Sequence, residues 1–375
     1  MITFSVAIAV YNVAQYLRPC MESICKQLEE DVEVLLVDDG STDGSGAICD
    51  EFAHRYSRIR VIHQINSGIS AVRNVLIQQA KGKWIVFVDG DDILTDDALQ
   101  VMRSYADSES ELIVFEHQRF FDTFHPEIAP FQHEDQCFAK EEIADLRLGI
   151  LKRSSGNSES LLQNFTVSAC AKMWKLRFLH EMALQFSEEL KYGEDLSFMV
   201  AAMRNMERIR WVHRCVYGYR INPSSFTMRF YKDADEICGG VVTYVKRDME
   251  SHMEMSQEAL RDTVHELEIY CFQNALIMSI QHPDCPWNRA KRLAWLRELC
   301  SQQWVQSAIA YATQAKFQIV PLRLAREENY AGLERYCNRK RMRYRFVRWL
   351  NRSVWGRRIV KLYSNKKRGL KIFYK

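Results

Sequence analysis

The sequence predicts an α/β protein, with a doubly wound, mainly parallel sheet first and an α-helical region after it. Three observations carry that expectation. Over the first hundred residues, short apolar runs alternate with stretches of helical periodicity, the signature of β-α-β units. From about Tyr231 onward the periodicity is helical. Three of the early apolar runs end in polar clusters, "VYN", "VDDGSTD" and "VDGDD", and in such sheets ligands bind beyond the carboxyl ends of the strands.

Phe4 to Val10 reads as the first strand and Val13 to Gln27 as a helix. Val32 to Val37 reads as a second strand ending in "DDGSTDGS", Gly44 to Tyr56 as a helix, and Ile59 to His63 as a third strand. The turn "NSG" opens a helix over Ile69 to Ala80, and Trp84 to Val88 is a fourth strand. Two segments, 118–138 and the Ser/Gly-rich 152–165, read as loops that shape a pocket. Leu196 to Met203 is helix-like and is preceded by Glu194 and Asp195, while Leu267–Ile280 and Ala290–Ala312 show helical character.

Composition narrows the class. With 375 residues, 47% hydrophobic and 26% charged, the chain can build one large or two ordinary globular domains and is neither fibrous nor disordered. Its eleven cysteines include no C-x-x-C pair, so neither a disulfide framework nor structural zinc is expected and a reducing cytoplasm is the simplest compartment. No apolar segment approaches the length of a membrane span, and no basic region precedes "ITFSVAIAVYN", so neither span nor signal peptide is expected. The net charge of +3 conceals an asymmetry: residues 335–375 hold 16 Lys/Arg and no Asp/Glu, leaving 35 basic residues in 1–334 against all 48 acidic ones.

The segment "FVDGDDIL" puts Asp89, Asp91 and Asp92 at the end of a strand that reads as buried, beside a second strand end carrying Asp38 and Asp39. Asp, Asn, Gly and Ser are ordinary turn and cap residues, and each cluster alone is weak. Carboxylates gathered at two adjacent strand ends repel unless something positive sits between them, so a cationic ligand is expected there.

Four stretches, "FSVAIAVYNVAQYLRPCMESI", "VEVLLVDDGSTDGSGAICDEFA", "VIHQINSGISAVRN" and "KGKWIVFVDGDDIL", resemble the inverting family 2 glycosyltransferases of GT-A type, in family order and at family spacing over residues 3–100. Weaker similarity continues through 170–198 and 216–227. Two departures stand out: Ala9 where a proline is usual, and Ala171 where the family often has Asn before Lys.

The resemblance implies a Rossmann-like GT-A sheet and assigns roles. Tyr11 would lie against a nucleobase, Asp39 would accept a hydrogen bond from the uracil ring N–H, and Asp38 belongs to the same donor cluster. Asp89 would bond ribose hydroxyls and Asp91 would hold a divalent cation, Mn²⁺ or Mg²⁺, bridging two phosphates. Asp92 is expected to cap the following segment, and Arg73 to reach the nucleotide or brace the Asp91 loop; the alternative for Arg73 is a structural ion pair. Asp195 aligns with the family's proton acceptor, against the plainer alternative of a helix cap, and Glu194 beside it would raise its pKa. Lys172, Trp174, Tyr219, Arg220 and Ser225 are candidates on the acceptor side, with Trp174 equally readable as core.

The implied activity is metal-dependent transfer of a sugar, from a UDP sugar, to a glycan or lipid-linked acceptor in bacterial surface-polysaccharide or lipopolysaccharide assembly. A sugar nucleotidyltransferase would show an N-terminal Gly-rich phosphate loop, absent from "AVYNVAQYL", and Asp39, Asp91 and Asp195 argue against a non-catalytic adaptor. The expected organisation is a catalytic domain over 1–230, with a nucleotide-sugar half at 1–100 and an acceptor half at 101–230. A helical region at 231–334 and a basic amphipathic tail at 335–375 follow. In the tail, Phe346, Leu350 and Val354 interleave with Arg and Lys, a pattern suited to an anionic membrane surface, to nucleic acid or to a solvated helix packed on the catalytic domain; the lipid-linked acceptors that the resemblance implies favour peripheral attachment to the inner face of the cytoplasmic membrane, with no nucleic acid expected.

Overall fold

The computed structural model describes residues 2–121, 124, 134–152, 165, 167–222, 229–252 and 256–352. The first part of the chain runs β1 (Phe4–Val10), α1 (Ala14–Cys25), β2 (Val32–Asp38), α2 (Ser45–Arg55), β3 (Ile59–His63), α3 (Ile69–Gln79) and β4 (Trp84–Asp89). These follow the sequence expectation to within about two residues at each end. Then come β5 (Ile93–Leu94), α4 (Ala98–Arg103), β6 (Leu112–Phe120), β7 (Gln136–Ala139), α5 (Lys140–Leu151), β8 (Lys172–Lys175), α6 (Leu176–Glu181), α7 (Glu194–Met203) and β9 (Arg208–Arg220).

One sheet takes up these strands in the order β3-β2-β1-β4-β8-β6-β9-β5, with β7 paired to β9. The pairs β3·β2, β2·β1 and β1·β4 are parallel. Strand β8 lies antiparallel between β4 and β6, so β6 and its parallel neighbour β9 run the same way as the first four. Six strands thus send their carboxyl ends to one rim. Because β1 sits between β2 and β4, the helices that leave β1 and β4 diverge, which opens the crevice used by doubly wound sheets. Strands buried on both faces read as continuous apolar runs, and Ile85, Val86, Phe87 and Val88 are each at most 1% exposed.

By its internal contacts the chain divides into two units, Met1–Ile150 with Glu159–Asn222, and the remainder. The first unit therefore closes at Asn222, eight residues before the expected boundary at 230. The second is helical: α8 (Ala234–His252), α9 (Gln257–Met278), α10 (Arg289–Ser301), α11 (Gln303–Gln314), α12 (Val320–Arg326) and α13 (Tyr330–Arg352). Its core includes Leu267, Phe272, Leu276, Leu296, Leu299, Val305 and Leu333, and a buried ion pair, Arg292 Nε to Glu334 Oε1 at 2.9 Å, joins α10 to α13. The expected break at 334/335 falls inside α13, where Cys337 is 1% exposed. The basic segment thus begins within a packed helix, not as a separate tail. The expected loop at 118–138 is strand at both ends, 118–120 closing β6 and 136–138 opening β7; the expected loop at 152–165 lies largely, and Ser225 and all residues after Arg352 wholly, outside the described residues.

Candidate functional site

Two turns knit the ends of β1 and β2 together. Asn12 (φ 51°) accepts from Thr42 N–H at 2.8 Å and donates its own N–H to Ser41 Oγ at 3.0 Å. Asp43 accepts from Ala14 N–H at 2.9 Å, satisfying one of the unpaired donors at the start of α1. Tyr11, just past β1, is left 49% exposed at the rim. Asp38 accepts from Ser41 N–H at 3.1 Å and pairs with His63 Nδ1 at 2.9 Å, while His63 Nε2 meets Asp50 at 3.0 Å. The two carboxylates raise the His63 pKa, Asp50 first. With its oxygens so engaged and 4% exposure, Asp38 belongs to the framework of the turn, which corrects its expected part in donor binding.

Asp39 is held differently. Its Oδ1 accepts from Gln64 Nε2 and Ser67 N–H, both at 2.8 Å, and its Oδ2 from Gly68 N–H at 2.9 Å. Gly68 has φ 89°, a conformation open to glycine, and this is how the "NSG" turn aims two amides at one carboxylate. Three bonds leave about one of the carboxylate's four acceptor positions for a further donor.

At the end of β4 the three carboxylates separate into three roles. Asp89 is partly exposed and accepts from Arg73 Nη2 at 3.2 Å. Asp91 Oδ2 accepts from Asn222 Nδ2 at 3.0 Å, and its pKa is raised by burial and by Asp89. Asp92, 1% exposed, accepts from Tyr217 Oη at 2.6 Å and from Arg220 N–H at 2.7 Å, and burial drives its pKa well up. It ties the loop to β9 and does not cap the following segment as expected. Arg220 donates from Nε to the Asp91 carbonyl at 2.7 Å and lies 4.4 Å from the Phe120 ring centroid. Part of the expected positive charge is therefore the protein's own: Arg73 at Asp89, and Arg220 beside Asp91 and Asp92.

Arg73, 3% exposed on α3, reaches across to the start of α7. Its Nη1 donates to Asp195 Oδ1 at 2.6 Å and lies 3.5 Å from Glu194 Oε1, and its guanidinium sits 5.2 Å from the Phe186 ring centroid. The N-cap of α7 is Gly193 (φ 79°), so Asp195 is inside the first turn and its carboxylate points to Arg73; the cap alternative is excluded. Burial raises the Asp195 pKa, Arg73 opposes it, and Asp89 adds to it. Burial, then the Asp195 charge, pushes Glu194 up to about 7. The result is a desolvated carboxylate pair held by one cation, facing the strand-end carboxylates through that same cation.

Residues 5–158 match the family model "Glycosyl transferase family 2". The chain carries a family 2 glycosyltransferase domain. It is 31% identical over 238 residues to an uncharacterized glycosyltransferase, EpsJ, of Bacillus subtilis, covering 61% of this chain and 64% of EpsJ. It is 40% identical over 113 residues to the minor teichoic acid biosynthesis protein GgaA of Bacillus subtilis, covering 28% of this chain and 25% of that protein. The alignments therefore span less than two thirds of these relatives. The crystal structure of S. aureus TarS 1–349 in complex with UDP-GlcNAc shares the fold, with a TM-score of 0.63 at 19% identity, over 92% of each chain.

For the residues expected on an acceptor side the structure corrects several placements. Trp174 is fully buried, donates to the Ala169 carbonyl at 3.1 Å and packs edge-on to Phe198, so it is core and not a sugar platform. Lys172 is also fully buried; its Nζ donates to the Ser168 carbonyl at 2.7 Å and faces the Phe165 ring. It acts on the site as a buried charge that lowers the Asp195 pKa. Arg220 is a brace of the Asp91 loop, and Tyr219 meets His117 edge-on at 6.4 Å. Ala171, flagged as a departure from Asn, has φ 57°, a region Asn enters more readily than Ala. Sequence reasoning missed Gln64, Tyr217 and Asn222, although Gln64 lies within the stretch "VIHQINSGISAVRN" and the other two within the weaker similarity at 216–227.

The donor set fits a divalent cation at Asp91: a hard carboxylate oriented by the Asn222 amide, in a cluster where burial and Asp89 leave negative charge undercompensated. Among the described residues no three His, Cys, Asp or Glu side chains gather into a metal cage.

Proposed function

We propose that this chain transfers a sugar from a UDP sugar to a hydroxyl of a glycan or lipid-linked acceptor, with inversion and with Mn²⁺ or Mg²⁺, in bacterial surface-polysaccharide assembly. One observation carries the reading: Tyr11, Asp39, Asp89 and Asp91 share the rim at the switch point, and Asp195 is joined to that rim through Arg73. The UDP-GlcNAc named with TarS and the teichoic acid named with GgaA support the donor and acceptor classes.

In this reading Tyr11 lies against the base and the remaining acceptor position of Asp39 takes the uracil N–H. Asp89 bonds the ribose hydroxyls. Asp91 holds the cation, which when bound offsets the charge of the diphosphate. Asp195 accepts the proton of the acceptor hydroxyl as its oxygen attacks the anomeric carbon. The bond to the phosphate oxygen breaks on the opposite face, and its electron pair leaves with the nucleoside diphosphate. The basic segment 335–375 attaches the enzyme peripherally to an anionic membrane at its cytoplasmic face.

A turnover screen of nucleotide sugars with Mn²⁺, Mg²⁺ and chelator tests the proposal. UDP release from a UDP sugar in metal, lost in chelator, is expected. Absence of UDP-sugar binding under every condition overturns it. Full-length protein that fails to sediment with anionic liposomes at low salt overturns the membrane part alone.

A further inference from the structure

The Arg73 guanidinium is bonded at once to Asp89, at the end of β4, and to Asp195, in the first turn of α7. A solvent-facing donor ligand would be exposed, but Arg73 is 3% exposed and is backed by Phe186. Phe186 is itself fixed: it stacks on Phe198 with centroids 3.9 Å apart, and its N–H donates to Asn74, the residue after Arg73, at 2.8 Å. The aromatic pair, α3 and α7 thus over-determine where the guanidinium sits.

We propose that Arg73 is a positioning residue for the proton acceptor, fixing one oxygen of Asp195 so that the other faces the acceptor hydroxyl, and linking the ribose side of the donor site to the base. The inference rests on the reading of Asp195 as the base. Lysine offers a point charge and cannot present the fork that holds two carboxylates together.

The groups facing Asp195 are Arg73 from α3, Asp89 from β4, Lys172 from β8 and Glu194 from α7; Arg73 and Lys172 lower its pKa and Asp89 raises it. A base acts when deprotonated, so removing a cation moves the acid limb of the rate profile to higher pH and removing an anion moves it to lower pH.

The experiment measures UDP release from the UDP sugar hydrolysed fastest in Mn²⁺, as kcat against pH at saturating donor, for the full chain and for Arg73→Met, Arg73→Lys and Asp89→Asn. Arg73→Met should lose about 100-fold in kcat, and its acid limb should rise by about one pH unit. Asp89→Asn should lower the limb, and Arg73→Lys should keep the limb while losing part of kcat. If Arg73→Met does not fold, Arg73→Lys still decides: a lower kcat on an unmoved limb supports the positioning role, and full kcat overturns it. Unmoved limbs, with Asp195→Asn inactive, overturn the positioning role alone. Full turnover in Asp195→Asn overturns the base assignment and this inference with it.

Discussion

On the donor side, Asp39 is held by two backbone N–H groups and one side chain from the single turn 64–68. Asp195, the proposed proton acceptor, is held by Arg73, 122 residues away in sequence, with a backbone bond from Ala169 beside it. The difference teaches what each group is built for. Backbone amides from a short turn fix a carboxylate in one place, which suits the base-reading role proposed for Asp39. A side-chain cation at a desolvated helix start leaves the carboxylate's pKa set by competing burial and charge, which suits the role proposed for Asp195.

The comparison breaks most visibly at Asp195. Asp195→Asn keeps the shape but removes the proposed proton acceptor, so turnover should fall by roughly 10²- to 10⁴-fold while UDP binding in Mn²⁺, measured by calorimetry, persists. Retained turnover would return both carboxylates to the same class.

Trp174 tests whether the acceptor rim extends as far as the sequence suggested. As a core residue, its replacement by Ala should cost about 3–5 kcal/mol of stability in denaturant unfolding, with UDP affinity per folded molecule unchanged. A sugar platform would show the reverse.

Asn222 sharpens the donor side. Asn222→Ala removes the amide that orients Asp91 and should weaken Mn²⁺-dependent UDP binding by about 10- to 100-fold, with Asp91→Ala weaker still. Binding in chelator should be the same for all three proteins. An Asn222 variant with wild-type affinity in Mn²⁺ would show that the Asp91 carboxylate needs no brace.

The smallest effect belongs to Glu194. Its pKa rises from 4.5 to about 7, so the folded state disfavours its ionised form, and wild-type stability declines as pH climbs through that window. Glu194→Gln should match wild type below about pH 4.5 and exceed it by a few °C in Tm above about pH 7. A Tm difference independent of pH would mean that Glu194 is solvated like an ordinary surface carboxylate.

Much of the fold was legible because its first half is built from neighbours. Strands β1 to β4 follow one another through short helical crossovers, so apolar periodicity and turn residues marked each element to within about two residues. The clustering of carboxylates at β2 and β4 was legible for the same reason: each cluster is one short motif at the end of one strand. The partners of those carboxylates were not. Asp92 bonds Tyr217 and Arg220, 125 and 128 residues on, and no local pattern announces a pairing made by the sheet order. Trp174 and Lys172 carry the composition of a surface site, but both lie on β8, a four-residue strand inserted antiparallel between β4 and β6 and buried along most of its length.

The sequence by itself determined the β-α-β order, the helical second unit, the excess of positive charge after residue 334, and which residues stand at the strand ends, since each depends on periodicity and composition within a few residues. Only the tertiary structure decided that Asp38, Asp92 and Arg220 serve the framework, that Trp174 is core, and that Arg73 joins Asp89 to Asp195. Those assignments depend on which side chains lose their water and whom they meet when they do, and burial is a property of the packed whole.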